Sequence, residues 1–215
     1  MTPYYQDDAV TIYHGDCREI VPQLGKFDLL LTDPPYGIDA DNRKRILSRS
    51  KLAKAIDYGD SQWDKVAVEY DLIELIRGVC KWQIIWGGNY YPLPPKRGWF
   101  FWDKENGGND FADGELAWTN LHTAVRKFNF RWSGMLQGDM ASKELREHPT
   151  QKPTPLMTWC ITKVPESQTI LDPFAGSGTT GRAAKDLGRK ATLIEREEKY
   201  CEIAAKRMSQ EVFKL

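Results

Sequence analysis

Apolar residues in this chain recur with two different periods. In 66–80, VAVEYDLIELIRGVC, they return at helical spacing. A second helix is expected after HPTQKPTPLM, reaching about Lys163, and a third over EEKYCEIAAKRMSQ at 197–210. Between these lie short apolar runs closed by turn residues, which read as strands: AVTIYHGD, FDLLLTDPPYG, WQIIWGG, TILD and KATLIERE. The FDLLLT run stops at Pro34 and Pro35, because a proline pair cannot continue a central strand. Asp16 and Glu19 have capping-box spacing and open a short helix after the first of these strands.

Alternation of strand and helix at both ends predicts an α/β fold with a mostly parallel central sheet. The middle departs from it. GWFFWDK, GELAWTN and AVRKFNFRW are three strand-like segments rich in aromatics, inside a stretch from about 96 to 147 that lacks helical spacing. Residues 38–62 have no period and are rich in Arg, Lys, Ser and Asp, so they read as a mobile basic loop. The 215 residues suit one domain, with 104–147 as a small central insert.

Composition narrows the class without naming it. Lys and Arg balance Asp and Glu, 30 against 30, which argues against an indiscriminate nucleic-acid coat protein but leaves room for a local basic field. Cys17, Cys80, Cys160 and Cys201 are scattered and form no C-x-x-C pair, so buried free thiols are expected. His14, His122 and His148 are isolated, and no metal ligand set is expected. MTPYYQDDAV carries no signal-peptide pattern and no apolar stretch approaches membrane length, which together predict a cytoplasmic protein. The tryptophans Trp82, Trp86, Trp99, Trp102, Trp118 and Trp132 are expected in the core.

Two strand ends carry chemistry. Gly176-Ser177-Gly178-Thr-Thr-Gly181 follows a strand and opens a helix, where glycines permit a tight turn and close approach of a ligand. Glu195 ends the next strand, where a carboxylate can accept from ribose hydroxyls. Taken alone, this fits a nicotinamide dinucleotide as well as any other adenosine cofactor; a P-loop is disfavoured because Arg182 stands where G-K-[ST] is needed. The second strand end is Asp33-Pro34-Pro35-Tyr36. An exocyclic amine on a planar base is a poor nucleophile, since its lone pair is delocalised into the ring. Asp33 can accept one of its N–H bonds and the Pro34 carbonyl the other, drawing the nitrogen toward tetrahedral geometry. Two prolines remove donors and hold the carbonyls. Tyr36 offers a flat face on which an extruded base can stack.

DPPY, followed by HPTQKP and DPFAGSGTTG, resembles the amino-methyltransferases of DNA, in the β-group order where the catalytic tetrapeptide comes first. The resemblance covers roughly 9–37 and 148–208; in the centre, WDK and FADGELAWT are similar to small phage and prophage adenine methyltransferases. It implies the Rossmann-like fold of S-adenosylmethionine-dependent methyltransferases in circularly permuted order. It also implies that Asp172, Phe174, Gly176, Ser177 and Gly178 line the S-adenosylmethionine pocket, that Glu195 holds the ribose and that Asp16 bonds the cofactor adenine. Thr150, Gln151 and Lys152 fall where the family closes the methionine end. The strands before Asp172 and Asp33 are then expected to be central neighbours, with the chain termini close together on one side of the sheet.

The expected reaction is methylation of adenine N6 in double-stranded DNA by direct in-line transfer to a flipped base. Arg43, Lys44, Arg45, Arg49, Lys51 and Lys54 are placed to meet phosphates. Arg126, Arg131, Lys127 and Lys143, in the central insert, are candidates for base contacts, and a homodimer is left open. Four alternatives stand beside this. Cytosine N4 suits the same geometry, although those relatives usually carry Ser where Asp33 stands. RNA relatives usually carry Trp in place of Tyr36. A nicotinamide oxidoreductase or a catalytically silent DNA-binding protein leaves DPPY without a role.

Overall fold

Five parallel strands form the centre of a nine-stranded sheet in the computed structural model, which describes residues 1–37, 67–107, 112–133, 136–141, 143–148 and 150–210. The elements run β1 Tyr5–Gln6, β2 Val10–His14, α1 Cys17–Ile20, β3 Phe27–Thr32, α2 Tyr70–Gly78, β4 Cys80–Trp86, β5 Trp99–Asp103, β6 Gly114–Thr119, β7 Arg126–Asn129, β8 Trp132–Ser133, β9 Leu136–Gln137, α3 Thr154–Thr162, β10 Thr169–Asp172, α4 Thr179–Asp186, β11 Lys190–Glu195 and α5 Glu198–Ser209. Strand order across the main sheet is β1-β2-β11-β10-β3-β4-β6-β5-β7, and β8 and β9 form a small separate hairpin ladder. Among the described residues, no helix is long and apolar enough to cross a membrane.

The apolar runs of β3 and β4 are continuous because both faces of the sheet are covered. Leu29 and Leu31 point to the face packed by Leu156, Met157 and Cys160 of α3, Ala183 and Ala184 of α4, and Ala204 and Met208 of α5. Leu30 points to the opposite face, against Cys17 and Ile20 of α1 and Leu72, Ile73 and Ile76 of α2. All three leucines are fully buried, each worth about 1.5–3 kcal/mol of transfer free energy. All four cysteines are buried and free, as expected. Trp86, Trp102, Trp118 and Trp132 are buried too, while Trp82 and Trp99 are half-buried.

The expected neighbours are neighbours: β10 pairs parallel with β3, Ile170 opposite Leu29 and Leu171 opposite Leu30. From β10 the chain crosses through α4 to β11 on one side; from β3 it continues to β4 on the other. The sheet therefore reverses its winding between β10 and β3, and a crevice opens at their carboxyl ends, where ligands bind in folds of this type. The first and last elements also meet as expected: Lys185 Nζ lies 2.6 Å from Asp7 Oδ2 and 2.7 Å from the Met208 carbonyl oxygen.

The central segment is bound into the sheet more closely than an insert suggests. Within 104–147, β6 runs antiparallel between β4 and β5, and β7 extends the edge beyond β5. The two-residue ladders of β1, β8 and β9 are too short to leave a period in the sequence.

Candidate active site

A cavity of about 290 Å³ lies over the carboxyl ends of β10, β11 and β2 and reaches Asp33 at the end of β3. Its wall includes Asp16, Thr150, Gln151, Lys152, Asp172, Phe174, Gly176, Ser177 and Glu195. Residues scattered over most of the chain are thus gathered by the topology alone. Gly178 is not part of the wall. A Cβ there would lie 2.8 Å from Ala204 Cβ, and its φ of +79° is left-handed, so it serves helix packing at the start of α4. Gly181 likewise lets α4 lie on β11, where a Cβ would come 2.6 Å from Leu193 Cδ1.

Each wall residue is held by specific bonds. Asp16 caps α1, accepting from the Arg18 amide at 2.8 Å, so its carboxylate is fixed at the cavity rim. Glu195 accepts from the amides of Gly176 and Glu197, both at 2.8 Å, and burial raises its carboxyl above the usual range despite those donors. Ser177 donates to Gln151 Oε1 at 3.0 Å, which ties the HPTQKP segment to the glycine turn. Thr150 turns back on His148, its hydroxyl 3.2 Å from Nδ1. Asp172 is buried and accepts from the hydroxyls of Thr32 at 2.7 Å and Thr180 at 2.6 Å, and from the Phe174 amide at 3.1 Å. The Thr32 bond joins the end of β3 to the end of β10, so the two motifs are connected through a residue that no motif names.

Burial pushes the Asp172 carboxyl up to about 6, from 3.8. Because the folded value lies above the unfolded one, the stability linked to this group is present below pH 4 and is lost as the pH rises through 6. Thr32→Val removes a donor to the charged form. It should cost about 1.5–3 kcal/mol in urea unfolding at pH 7 and much less below pH 4.

At the end of β3, Asp33 is half-buried, with the Tyr36 hydroxyl on Oδ1 and Lys152 Nζ on Oδ2, the latter at 2.5 Å. Burial raises the Asp33 carboxyl, Glu115 adds to this, and Lys152 offsets part of it. Lys152 was expected at the methionine end; its ammonium lies instead on Asp33, 3.3 Å from the Tyr36 hydroxyl and 3.0 Å from Glu115 Oε2. Among the described residues nothing donates to the Pro34 carbonyl, while that of Pro35 takes the Tyr91 hydroxyl at 2.5 Å. The Tyr36 ring is stacked on Tyr90, centroids 4.9 Å apart at 18°, so one of its faces is already covered.

Glu115 and Lys104, paired at 2.5 Å, were not singled out in the sequence. The signal was a lone acid and a lone base among the aromatics of GELAWT and WFFWDK. Of the cationic candidates, Arg126 and Lys127 are exposed on β7, Arg131 and Lys143 are exposed beyond it in the chain, and Lys127 pairs with Asp103 at 3.2 Å. Arg43, Lys44, Arg45, Arg49, Lys51 and Lys54 lie outside the described residues.

Residues 101–206 match the family model described as DNA methylase. That match spans just under half of the chain, and it agrees with relatives that are DNA methyltransferases. The chain is 28% identical to the Type II methyltransferase M.HinfI of Haemophilus influenzae, over 93% of this chain and 68% of that one. It is equally identical to the Type II methyltransferase M2.DpnII of Streptococcus pneumoniae, over 97% and 93%. Among solved structures, the M1.HpyAVI–SAM complex has a TM-score of 0.58 at 23% identity, covering 94% of this chain and all of that one. The cytosine-N4-specific PvuII DNA methyltransferase has a TM-score of 0.60 at 15% identity, covering 99% and 90%. The chain therefore has the fold of the S-adenosylmethionine-dependent methyltransferases. The cavity fits an adenosine cofactor: the carboxylates of Asp16 and Glu195 line it, and so does the turn at Gly176, with φ of +51°.

Proposed function

We propose that this protein transfers the methyl group of S-adenosylmethionine to the exocyclic N6 of adenine in DNA, on a base turned out of the helix. The observation that carries the reading is Asp33, a half-buried carboxylate at the mouth of the cofactor cavity, beside a Pro34 carbonyl that takes no donor among the described residues. When bound, S-adenosylmethionine supplies an electrophilic methyl group. Asp16 and Glu195 hold its adenosine, and the Gly176–Ser177 turn and Thr150–Gln151 close the pocket around the remainder.

Asp33 accepts one N–H of the amine and the Pro34 carbonyl the other, which localises the lone pair toward the cavity. The raised carboxyl makes Asp33 a competent acceptor for the proton that the nitrogen sheds as its new bond forms. No enzyme nucleophile is required. Cys17 lines the cavity, but burial pushes its thiol up to about 12, so it is not a thiolate at neutral pH. Most of the rate enhancement then comes from placing the reactants and from fixed dipoles.

Cytosine N4 is the second reading, because the PvuII enzyme shares the fold. Asp33 favours adenine, since the cytosine enzymes usually have Ser there. Phosphate contacts are assigned to the 43–54 cations and base contacts to the surface around Arg126 and Arg131. Incubation with plasmid and methyl-labelled cofactor, followed by digestion to nucleosides, decides the acceptor. Label in N6-methyldeoxyadenosine is the expected result; label in N4-methyldeoxycytidine overturns the adenine assignment.

A further inference from the structure

Lys152 is 5% exposed and faces two carboxylates, Asp33 at 2.5 Å and Glu115 at 3.0 Å. Glu115 is itself tied to Lys104 at 2.5 Å. The four side chains form a line, Asp33–Lys152–Glu115–Lys104, that runs from the end of β3 across the 148–153 segment to β6 and β5. Alternation of acid and base leaves the line neutral, which is what makes its burial tolerable. A core ion pair needs only two members; a third and a fourth call for a reason.

That reason lies in what Asp33 has to do. Both of its oxygens are occupied, one by the Tyr36 hydroxyl and one by Lys152. Each oxygen has a second lone pair, so an incoming amine can bond Asp33 as these donors shift to make room. An ammonium with Asp33 as its sole partner would resist, since moving it off strands a buried charge. It would also hold the carboxylate too weakly basic to take a proton.

We propose that Glu115 is a positioning residue for catalysis: it gives the Lys152 ammonium a second carboxylate to rest on, so that Asp33 is oriented by Lys152 yet free to accept the substrate amine. Lys104 keeps Glu115 ionised and in place. This rests on the assignment of Asp33 as the acceptor of the amine, and it adds β6, in the central segment, to the catalytic machinery.

The electrostatics agree. Burial alone would raise Glu115, but Lys152 and Lys104 outweigh it and hold the carboxyl down to about 2. Burial would lower Lys152, but Asp33 and Glu115 outweigh it and push the ammonium up to about 12. Asp33 is the member left raised. The charged and titratable groups facing it are Lys152, Glu115, Tyr36 and, across the strand pair, Asp172. Removing the charge of Glu115 leaves Lys152 wholly to Asp33, which lowers the Asp33 carboxyl and makes it a poorer acceptor.

Glu115→Gln is nearly isosteric and tests this. Expected are a fall in kcat of about 10-fold or more, an unchanged KM for S-adenosylmethionine, and an acid limb of the kcat–pH profile moved to lower pH. Carboxyl-carbon NMR of the cofactor-free protein should show the Asp33 titration moved the same way, independently of turnover. Lys104→Met should act in the same direction by less, and Glu115→Asp should restore most of kcat. If wild type methylates DNA and folded Glu115→Gln keeps both its kcat and its pH profile, the inference fails while the functional assignment stands. If kcat falls but neither the pH profile nor the Asp33 titration moves, Glu115 is structural only and the inference fails as well. No methyl transfer by wild type overturns the functional assignment itself.

Discussion

Asp33→Ala lowers kcat by at least about 1,000-fold, because it removes both the orienting acceptor for the amine and the acceptor for its proton. The folded protein and its affinity for S-adenosylmethionine change little. Two structural facts make that separation possible. Lys152 keeps Glu115 as a partner at 3.0 Å, so its buried charge is not stranded by the substitution. Of the groups assigned to hold the cofactor, Asp16 accepts from the Arg18 amide, Glu195 from the amides of Gly176 and Glu197, and Ser177 donates to the Gln151 side chain; among the described residues none of these bonds involves Asp33. Single-turnover kinetics beside equilibrium binding of the cofactor check this. Near-normal turnover would remove Asp33 from the mechanism.

Gly87→Ala has the second large effect, from a position that never touches the cavity. Gly87 follows β4 with φ of +65°, and a Cβ there would come 2.0 Å from Cε1 of the Tyr36 ring. The left-handed backbone alone costs an alanine about 1–2 kcal/mol. The ring cannot give way freely, since Tyr90 stacks on it and its hydroxyl is engaged by Asp33 and Lys152. Displacing Tyr36 by about an ångström should lower kcat by roughly 100-fold while cofactor affinity is retained. Gly25→Ala is the control, because a Cβ at Gly25 meets nothing within 4 Å. Equal activity of the two variants would show that the Tyr36 ring is not held in a catalytic position.

Much of this site was legible in the sequence because its chemistry is concentrated at two strand ends. DPPY and the glycine turn each carry residues whose roles follow from local geometry: prolines that free carbonyls, a glycine at positive φ, an acid at the end of a strand. The pairing of their strands followed from an α/β sheet that winds in two directions from one crevice. Contacts that depend on register across the sheet were not legible. Thr32 meets Asp172 because β3 and β10 are adjacent in a particular register, 140 residues apart in the chain. Lys152 meets Asp33 and Glu115 because a loop folds over the ends of strands from both halves of the sheet. Tyr90 and Tyr91 reach Tyr36 and Pro35 through a single turn after β4, and nothing in their spacing announces it. Gly178 shows the opposite limit: a glycine in the fingerprint turned out to serve the packing of α4 on α5.

At the centre of this account is direct passage of the methyl group to the base amine across the crevice between β10 and β3, with no side chain of the enzyme carrying it on the way. The stereochemistry of the methyl carbon tests this most directly. With S-adenosylmethionine bearing a methyl group made chiral by its three hydrogen isotopes, a single in-line displacement inverts the configuration, and inversion in the recovered methyladenine is the predicted result. Retention would mean two successive displacements through an enzyme nucleophile and would contradict the account.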